Sequence, residues 1–231
     1  MGGRRGQRAG HCSSSAAAFE IVDLRGHTGA MDEWVLNALK RWPNVPALFG
    51  WLSLDRRGRW LVQGEAISHP RIIDVIDRNY GADEHGRWYF QNGPQRGYMQ
   101  LESTPLILFV ADDNEHLITH SGLTVTQLRS AYIDEQGSLV LTTEHGPGEL
   151  RGTDLQWALD RLSIGGKPVD DDSLAAALDL PSQSRTDLTL SVGSSQLSLQ
   201  RLDFDQAPSV LGFQRAPAPR EGEKIATRAM D

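Results

Sequence analysis

Apolar residues alternate with polar ones in short runs from about Trp51 to Leu199, and successive runs flank polar turns. Trp51–Leu54 and Trp60–Val62 flank Asp55–Gly58. Arg87–Gln91 and Tyr98–Leu101 flank Asn92–Gly97. Leu106–Val110 and His116–Thr119 flank Asp112–Glu115. Ala131–Ile133 and Leu139–Thr142 flank Asp134–Gly137. Leu188–Val192 and Leu197–Leu199 flank Gly193–Gln196. Such runs, rich in β-branched and aromatic residues, predict five antiparallel hairpins.

Helical spacing is scarcer. It predicts helices over Asp32–Arg41, over His69–Tyr80 with Ile72, Ile73, Ile76 and Tyr80 on one face, over Asp154–Leu162, and over Ser173–Leu178 before Pro181. No strand–helix alternation runs along the chain, which argues against a doubly wound parallel sheet. The expected fold is α+β: mostly antiparallel β-hairpins forming a sheet or two-layer sandwich, with two to four helices. Residues 31–215 are read as one domain, with a subdomain break considered near Ser121-Gly122.

The two ends read differently. Residues 1–30 are rich in Arg, Gly, Ser and Ala and hold no period, as expected of a disordered leader or an over-extended start. Arg4-Arg5 is not followed by the apolar segment an export signal needs. Residues 216–231, opening with Ala216-Pro-Ala-Pro, are expected to form a disordered tail.

One turn pattern recurs as Asp-x-x-Gly at Asp55–Gly58, Asp83–Gly86 and Asp134–Gly137. A calcium loop would need alternating oxygen ligands and a distal Glu, which all three lack. A type I turn with a left-handed Gly explains the pattern, and it is read as a shared turn solution rather than a duplicated module.

Composition narrows the chemistry. The only cysteine is Cys12, so neither an intrachain disulfide nor a multi-cysteine zinc site can form. The longest apolar run, Pro105–Ala111, is far short of the ~18 residues a spanning helix needs. A soluble, cytoplasmic protein is expected, with no membrane association. The net charge is −7; residues 31–231 hold 19 of the 23 Lys and Arg and 28 of the 30 Asp and Glu. That balance argues against nonspecific nucleic-acid binding, which needs clustered cations.

Catalytic signatures are sparse. His116 and His120 have a helical metal-ligand spacing but lie in a predicted strand, where four residues span about 13 Å. Gly165-Gly-Lys167 lacks the earlier Gly and the Ser or Thr of a phosphate loop, and reads as a tight turn. Asp170-Asp-Asp172 precedes a short helix and is better read as capping than as a magnesium site. No nucleophile elbow or dinucleotide fingerprint occurs. No cofactor and no metal are expected.

The segment Asn79–Glu102 concentrates Tyr80, Trp88, Tyr89, Phe90 and Tyr98 around a polar tip. In a strand Trp88 and Phe90 share one face, and Tyr89 and Gln91 the other. If the first face is core, the second displays a binding surface of Tyr89, Gln91, Asn92, Gln95, Arg96 and Tyr98. The competing reading is that the aromatics fill the core and the polar residues form the turn. A second functional reading is an enzyme using His69, Asp83, Glu84 and His85 for acid–base chemistry; a third is a purely structural subunit.

The stretch Arg78–Glu102, together with Trp42–Trp60, resembles an uncharacterised proteobacterial family, a domain of unknown function. The resemblance runs from Met31 to about Phe213. It implies a bacterial source and Met31 as the start, and brings no activity, cofactor or catalytic residue. The sequence therefore leads to a non-enzymatic binding or interaction protein whose partner is an unknown protein or small molecule.

Overall fold

The computed structural model describes residues 47–93 and 95–223, and the backbone of 225–227. The leader over 1–30 and the helix expected over Asp32–Arg41 lie outside the described residues.

All five predicted hairpins form. The first sheet is built from β1 (Ala47–Leu54), β2 (Trp60–Val62), β3 (Glu65–Ala66), β4 (Tyr80–Ala82), β5 (Trp88–Asn92) and β6 (Gln95–Leu101), with helix α1 (Pro70–Arg78) between β3 and β4. Its spatial order is β3-β2-β1-β6-β5-β4.

The second sheet begins with β7 (Leu106–Val110), β8 (Leu117–Thr119), β9 (Thr124–Val125), β10 (Leu128–Ile133), β11 (Leu139–Thr143) and β12 (Gly146–Leu150). Helix α2 (Leu155–Leu159), β13 (Leu162–Ile164), β14 (Lys167–Pro168), α3 (Asp171–Leu178), β15 (Arg185–Val192) and β16 (Ser195–Arg201) follow. The order is β14-β13-β15-β16-β10-β11-β12-β7-β8-β9. A short helix α4 (Ala207–Leu211) comes next, and β17 (Ile225–Thr227) returns to pair with β1. The change of sheet thus falls between Leu101 and Leu106, whereas Ser121-Gly122 is the turn joining β8 to β9.

Most strand pairs are antiparallel, and the fold is α+β. Among the described residues four pairs are parallel: β1 with β6, β10 with β16, β7 with β12, and β1 with β17. Two of them reveal a repetition of topology. The path β3-β2-β1-β6-β5-β4 in the first sheet is matched by β12-β11-β10-β16-β15-β13 in the second. Each path has its parallel pair at the centre and a helix between its third and fourth strands in chain order. The match reaches single bonds: Glu102 N donates to Leu54 O, and Leu202 N donates to Ile133 O. In both cases the acceptor immediately precedes the Asp of an Asp-x-x-Gly turn.

Those turns share one geometry. Asp55 Oδ1 accepts from Arg57 N and Arg59 N, Asp83 Oδ1 from His85 N and Arg87 N, and Asp134 Oδ1 from Gln136 N and Ser138 N. The closing Gly has φ near +78°, +72° or +81°, a left-handed conformation that favours Gly. Asp83 has no topological equivalent to the other two, so the turn is a common solution. Asp55 and Asp134 nevertheless occupy equivalent places in the two matched paths.

Two helices are shorter than their spacing predicts. Helix α1 starts at Pro70, whose fixed φ suits a first helical position, and buries Ile72 and Ile76. It ends at Arg78, because Tyr80 is drawn into β4, packing against Trp60, Trp88 and His120 with its hydroxyl donating to Pro105 O. Helix α2 buries Trp157 and Ala158, while Leu159 faces outward and Leu162 begins β13. Asp170 caps α3 by accepting from Ser173 N at 2.8 Å.

One hydrophobic core lies on the second sheet. Leu108, Leu141, Leu190 and Leu199 are fully buried there and pack with Trp157 of α2 and Ala177 of α3. Each such leucine stabilises the fold by about 1.5–3 kcal/mol.

Candidate binding surface on the first sheet

The hairpin of β5 and β6 sets Tyr89 opposite Tyr98, Gln91 opposite Arg96, and Asn92 opposite Gln95. Trp88 and Phe90 are buried on one face, and Tyr89 and Gln91 lie half-buried on the other, as strand alternation requires.

Two cations flank a pair of tyrosine rings along that second face. The Arg96 guanidinium lies 4.4 Å above the Tyr89 ring and donates through Nε to Gln91 Oε1 at 3.2 Å. Tyr89 meets Tyr98 edge to face at 5.8 Å. Tyr98 stacks on Phe49 at 4.5 Å, and the Arg87 guanidinium sits 4.5 Å from its ring centre. Cation–ring contacts of this kind pre-orient the guanidinium.

The six residues read from the sequence divide. Tyr89, Gln91, Asn92 and Arg96 reach the surface. Tyr98 and Gln95 are each only 2 % exposed, which corrects their place in a displayed surface. Tyr98 is consumed internally, because its hydroxyl accepts from Arg87 Nη2 at 3.0 Å and donates to Asp83 Oδ2 at 3.3 Å. Gln91 is partly committed too: its Nε2 donates to Gly93 O and Gln95 O and holds the turn.

Arg87 was missed in the sequence, yet it organises this end of the face. Its Nε donates to Asp83 Oδ2 at 2.7 Å. Its Nη1 donates to Glu223 Oε2 at 2.9 Å and Ala218 O at 3.3 Å, and its Nη2 to Glu223 Oε1 at 2.7 Å. Burial opposes ionisation of Asp83, but the Arg87 and His85 hydrogen bonds outweigh it and hold the carboxyl below its ordinary value. The hydrogen bonds to Glu223 are the main cause that raises the Arg87 pKa, and in return they lower the Glu223 carboxyl to about 2. Residues 218–223, expected to be a loose tail, are therefore attached to the first sheet. Only Glu223 itself, 136 residues along the chain, completes the pattern, and no local signal announces it.

The acid–base set does not assemble into a catalytic constellation. Asp83 is committed to Arg87, His85 lies 3.3 Å from Glu84 and against Arg220, and His69 stands at the start of α1. Two surface grooves occur elsewhere, of about 290 Å³ beside His116 and Ser194 and about 350 Å³ beside Asp160 and Asp171; neither is lined by these residues. Among the described residues, no group of three or more His, Cys, Asp and Glu is placed to hold a metal.

A second polar cluster joins the sheets. Buried Glu149 accepts from Ser103 Oγ and lies 3.7 Å from Arg56, and burial raises its pKa. Arg215 donates to Ser103 O and stacks 3.4 Å from the centre of the Phe204 ring. Ser103 and Glu149 are too buried to meet a ligand and act as a joint.

Fold and site define an α+β protein with two sheets of related topology and an aromatic–cation face on the first. The chain belongs to the family described as "Protein of unknown function (DUF2946)", whose model matches residues 31–218. No curated protein matches the sequence. Among solved structures, a DUF1285 family protein from Silicibacter pomeroyi DSS-3 is similar at 14 % identity and a TM-score of 0.46, over 74 % of this chain and 96 % of that one. A DUF1285 family protein from Shewanella baltica OS155 is similar at 14 % identity and a TM-score of 0.34, over 46 % of this chain and 87 % of that one. Among the described residues no helix is long and apolar enough to cross a membrane.

Proposed function

We propose that this protein is a non-enzymatic, cytoplasmic binding protein, and that the β5–β6 hairpin presents Arg96 and Tyr89 to a carboxylate-bearing partner. The observation that carries this reading is Arg96 itself. Its guanidinium is held by the Tyr89 ring and Gln91, yet it pairs with no carboxylate among the described residues. A cation oriented in advance loses less freedom on meeting an anion. Tyr89 adds apolar area beside it, the combination that concentrates binding energy at interfaces.

The test is native mass spectrometry of the protein purified gently from its source, as wild type, Arg96→Ala and Tyr89→Ala. A mass that accompanies the wild type is expected to be lost or weakened about 10–100-fold with Arg96→Ala, the value of one or two charge-assisted hydrogen bonds. Both variants should stay folded, Arg96→Ala with thermal unfolding close to the wild type and Tyr89→Ala less stable by about 0.2–1 kcal/mol for the lost contact with Tyr98. Full retention of the partner by both variants would sink the proposal.

A further inference from the structure

We infer that the strip of the first sheet from the outer edge of β1 to Arg87 is a receptor for an extended, acidic segment of a partner protein. The chain's own residues 218–223, with the backbone of β17, occupy that receptor until the partner competes. This deepens the reading of Arg96 and Tyr89 as a binding face and rests on it.

The demand for a carboxylate comes from Arg87. A guanidinium has five N–H donors, and all five are used here. Two go to the sheet's own Asp83 and Tyr98, and three to Glu223 and Ala218. Lifting the C-terminal segment strips three acceptors from a cation whose side chain is only 4 % exposed in their presence. Asp83 alone cannot satisfy the outward fork, and a second carboxylate matches it in two-pronged geometry.

The demand for an extended backbone comes from β1. Its outer edge has two partners in succession. From Leu52 onward it pairs antiparallel with β2; over Ala47–Phe49 it pairs parallel with β17. Gly50, at φ +75°, lies between the two stretches, where the register against β6 also shifts. The first stretch is therefore an edge that the rest of the sheet leaves open, and strand addition is how such an edge is covered.

Before β17 the occupant has no regular structure. Residues 218–222 are exposed and form neither helix nor strand, and Pro219 and Gly222 break any regular structure there. Among the described residues the segment is held by Glu223, the Arg87–Ala218 hydrogen bond, a contact of Arg220 with His85, and the backbone pairing of β17. Beneath Arg87 the Tyr98 ring continues to Tyr89 and Arg96, so an incoming acidic segment would meet a second cation on the same face.

The experiment uses full-length protein and a fluorescein-labelled peptide of residues 216–231, read by anisotropy. The Glu223→Gln protein, with its own clasp weakened, is expected to bind the peptide at least about tenfold more tightly than wild type. The same peptide carrying Glu223→Gln should not bind. A peptide of unrelated, strand-forming sequence with one Glu should bind the Glu223→Gln protein, and should lose binding when that Glu becomes Gln. Equal affinity of wild-type and Glu223→Gln protein overturns the inference. Binding of the chain's own peptide but not the unrelated one restricts the receptor to its own tail and overturns the partner. So does a wild-type dimer that Glu223→Gln converts to monomer, since the occupant would then be a second copy. Adding Arg96→Ala to the Glu223→Gln protein separates the two readings. Unchanged peptide binding there counts against Arg96 alone, whereas weakening by Arg96→Ala without any gain from Glu223→Gln counts against the receptor alone.

Discussion

Arg87 grips Glu223, 136 residues further along the chain, through two hydrogen bonds of 2.7 and 2.9 Å. The pair ties the C-terminal segment to the first sheet. Because Glu223 has its pKa lowered to about 2, the clasp is fully formed above the ordinary glutamate value of 4.5 and weakens as pH falls through about 2. Hydrogen exchange at 225–227 should therefore quicken as pH drops from 4.5 toward 2, once corrected for intrinsic rates. In the Glu223→Gln protein it should already be fast at neutral pH. Unchanged protection in that variant would show that β17 holds by itself.

His120 is buried among Trp60 and Tyr80, and its Nδ1 accepts from Ile107 N. Burial pushes its pKa down to about 3. The unfolded chain, with a His near 6.5, binds the extra proton first, so stability is complete above pH 6.5 and falls as pH is lowered toward 3. The slope from this group should approach about 1.4 kcal/mol per pH unit inside that window. Urea unfolding from pH 7 to pH 4 should show it, and His120→Gln, although less stable at pH 7, should show a flatter profile.

Gly58 and Gly137 close equivalent turns, with φ of +78° and +81°. A Cβ on Gly137 would meet nothing within 4 Å, so Gly137→Ala should cost only the backbone strain, about 1 kcal/mol. A Cβ on Gly58 would lie 2.7 Å from the Phe109 ring and 2.8 Å from His120 Cβ. Gly58→Ala should therefore cost clearly more, by about 1–3 kcal/mol for the forced repacking. Equal denaturation midpoints for the two variants would contradict this account.

Asp134 caps its turn with two backbone N–H groups and is almost fully buried. Asp134→Ala leaves both donors without that acceptor and should lower stability by about 1–3 kcal/mol. Asp134→Asn, which keeps an accepting oxygen, should recover much of the loss in the same chemical-denaturation measurement.

The hairpins were legible because their cause is local. Alternation tells which residues share a face, and Asp with Gly three positions on dictates a turn whatever surrounds it, so Trp88 and Phe90 fell on one face and Tyr89 and Gln91 on the other. Helix ends were less legible, since Tyr80 continues the helical spacing of Ile72 and Ile76 but gains more by packing against Trp60 and Trp88 in a strand. Short strands such as Gly146–Leu150, which contains a Pro and two Gly, carried no strand signal; pairing with β11 and β7 on both sides makes them strands.

The same division runs through the candidate site. Sequence alone determined that Tyr89 and Gln91 would share one face of a strand, because alternate side chains of a strand point the same way; the structure extends β6 back to Gln95 and so brings Arg96, read as part of the turn, onto that face. Only the tertiary structure decided that Tyr98 would be buried, that Arg87 would take Glu223, and that the β1 edge would be covered from the far end of the chain. Those outcomes depend on which distant segments meet, and a hydrogen bond between residues 87 and 223 leaves no periodic trace in either neighbourhood.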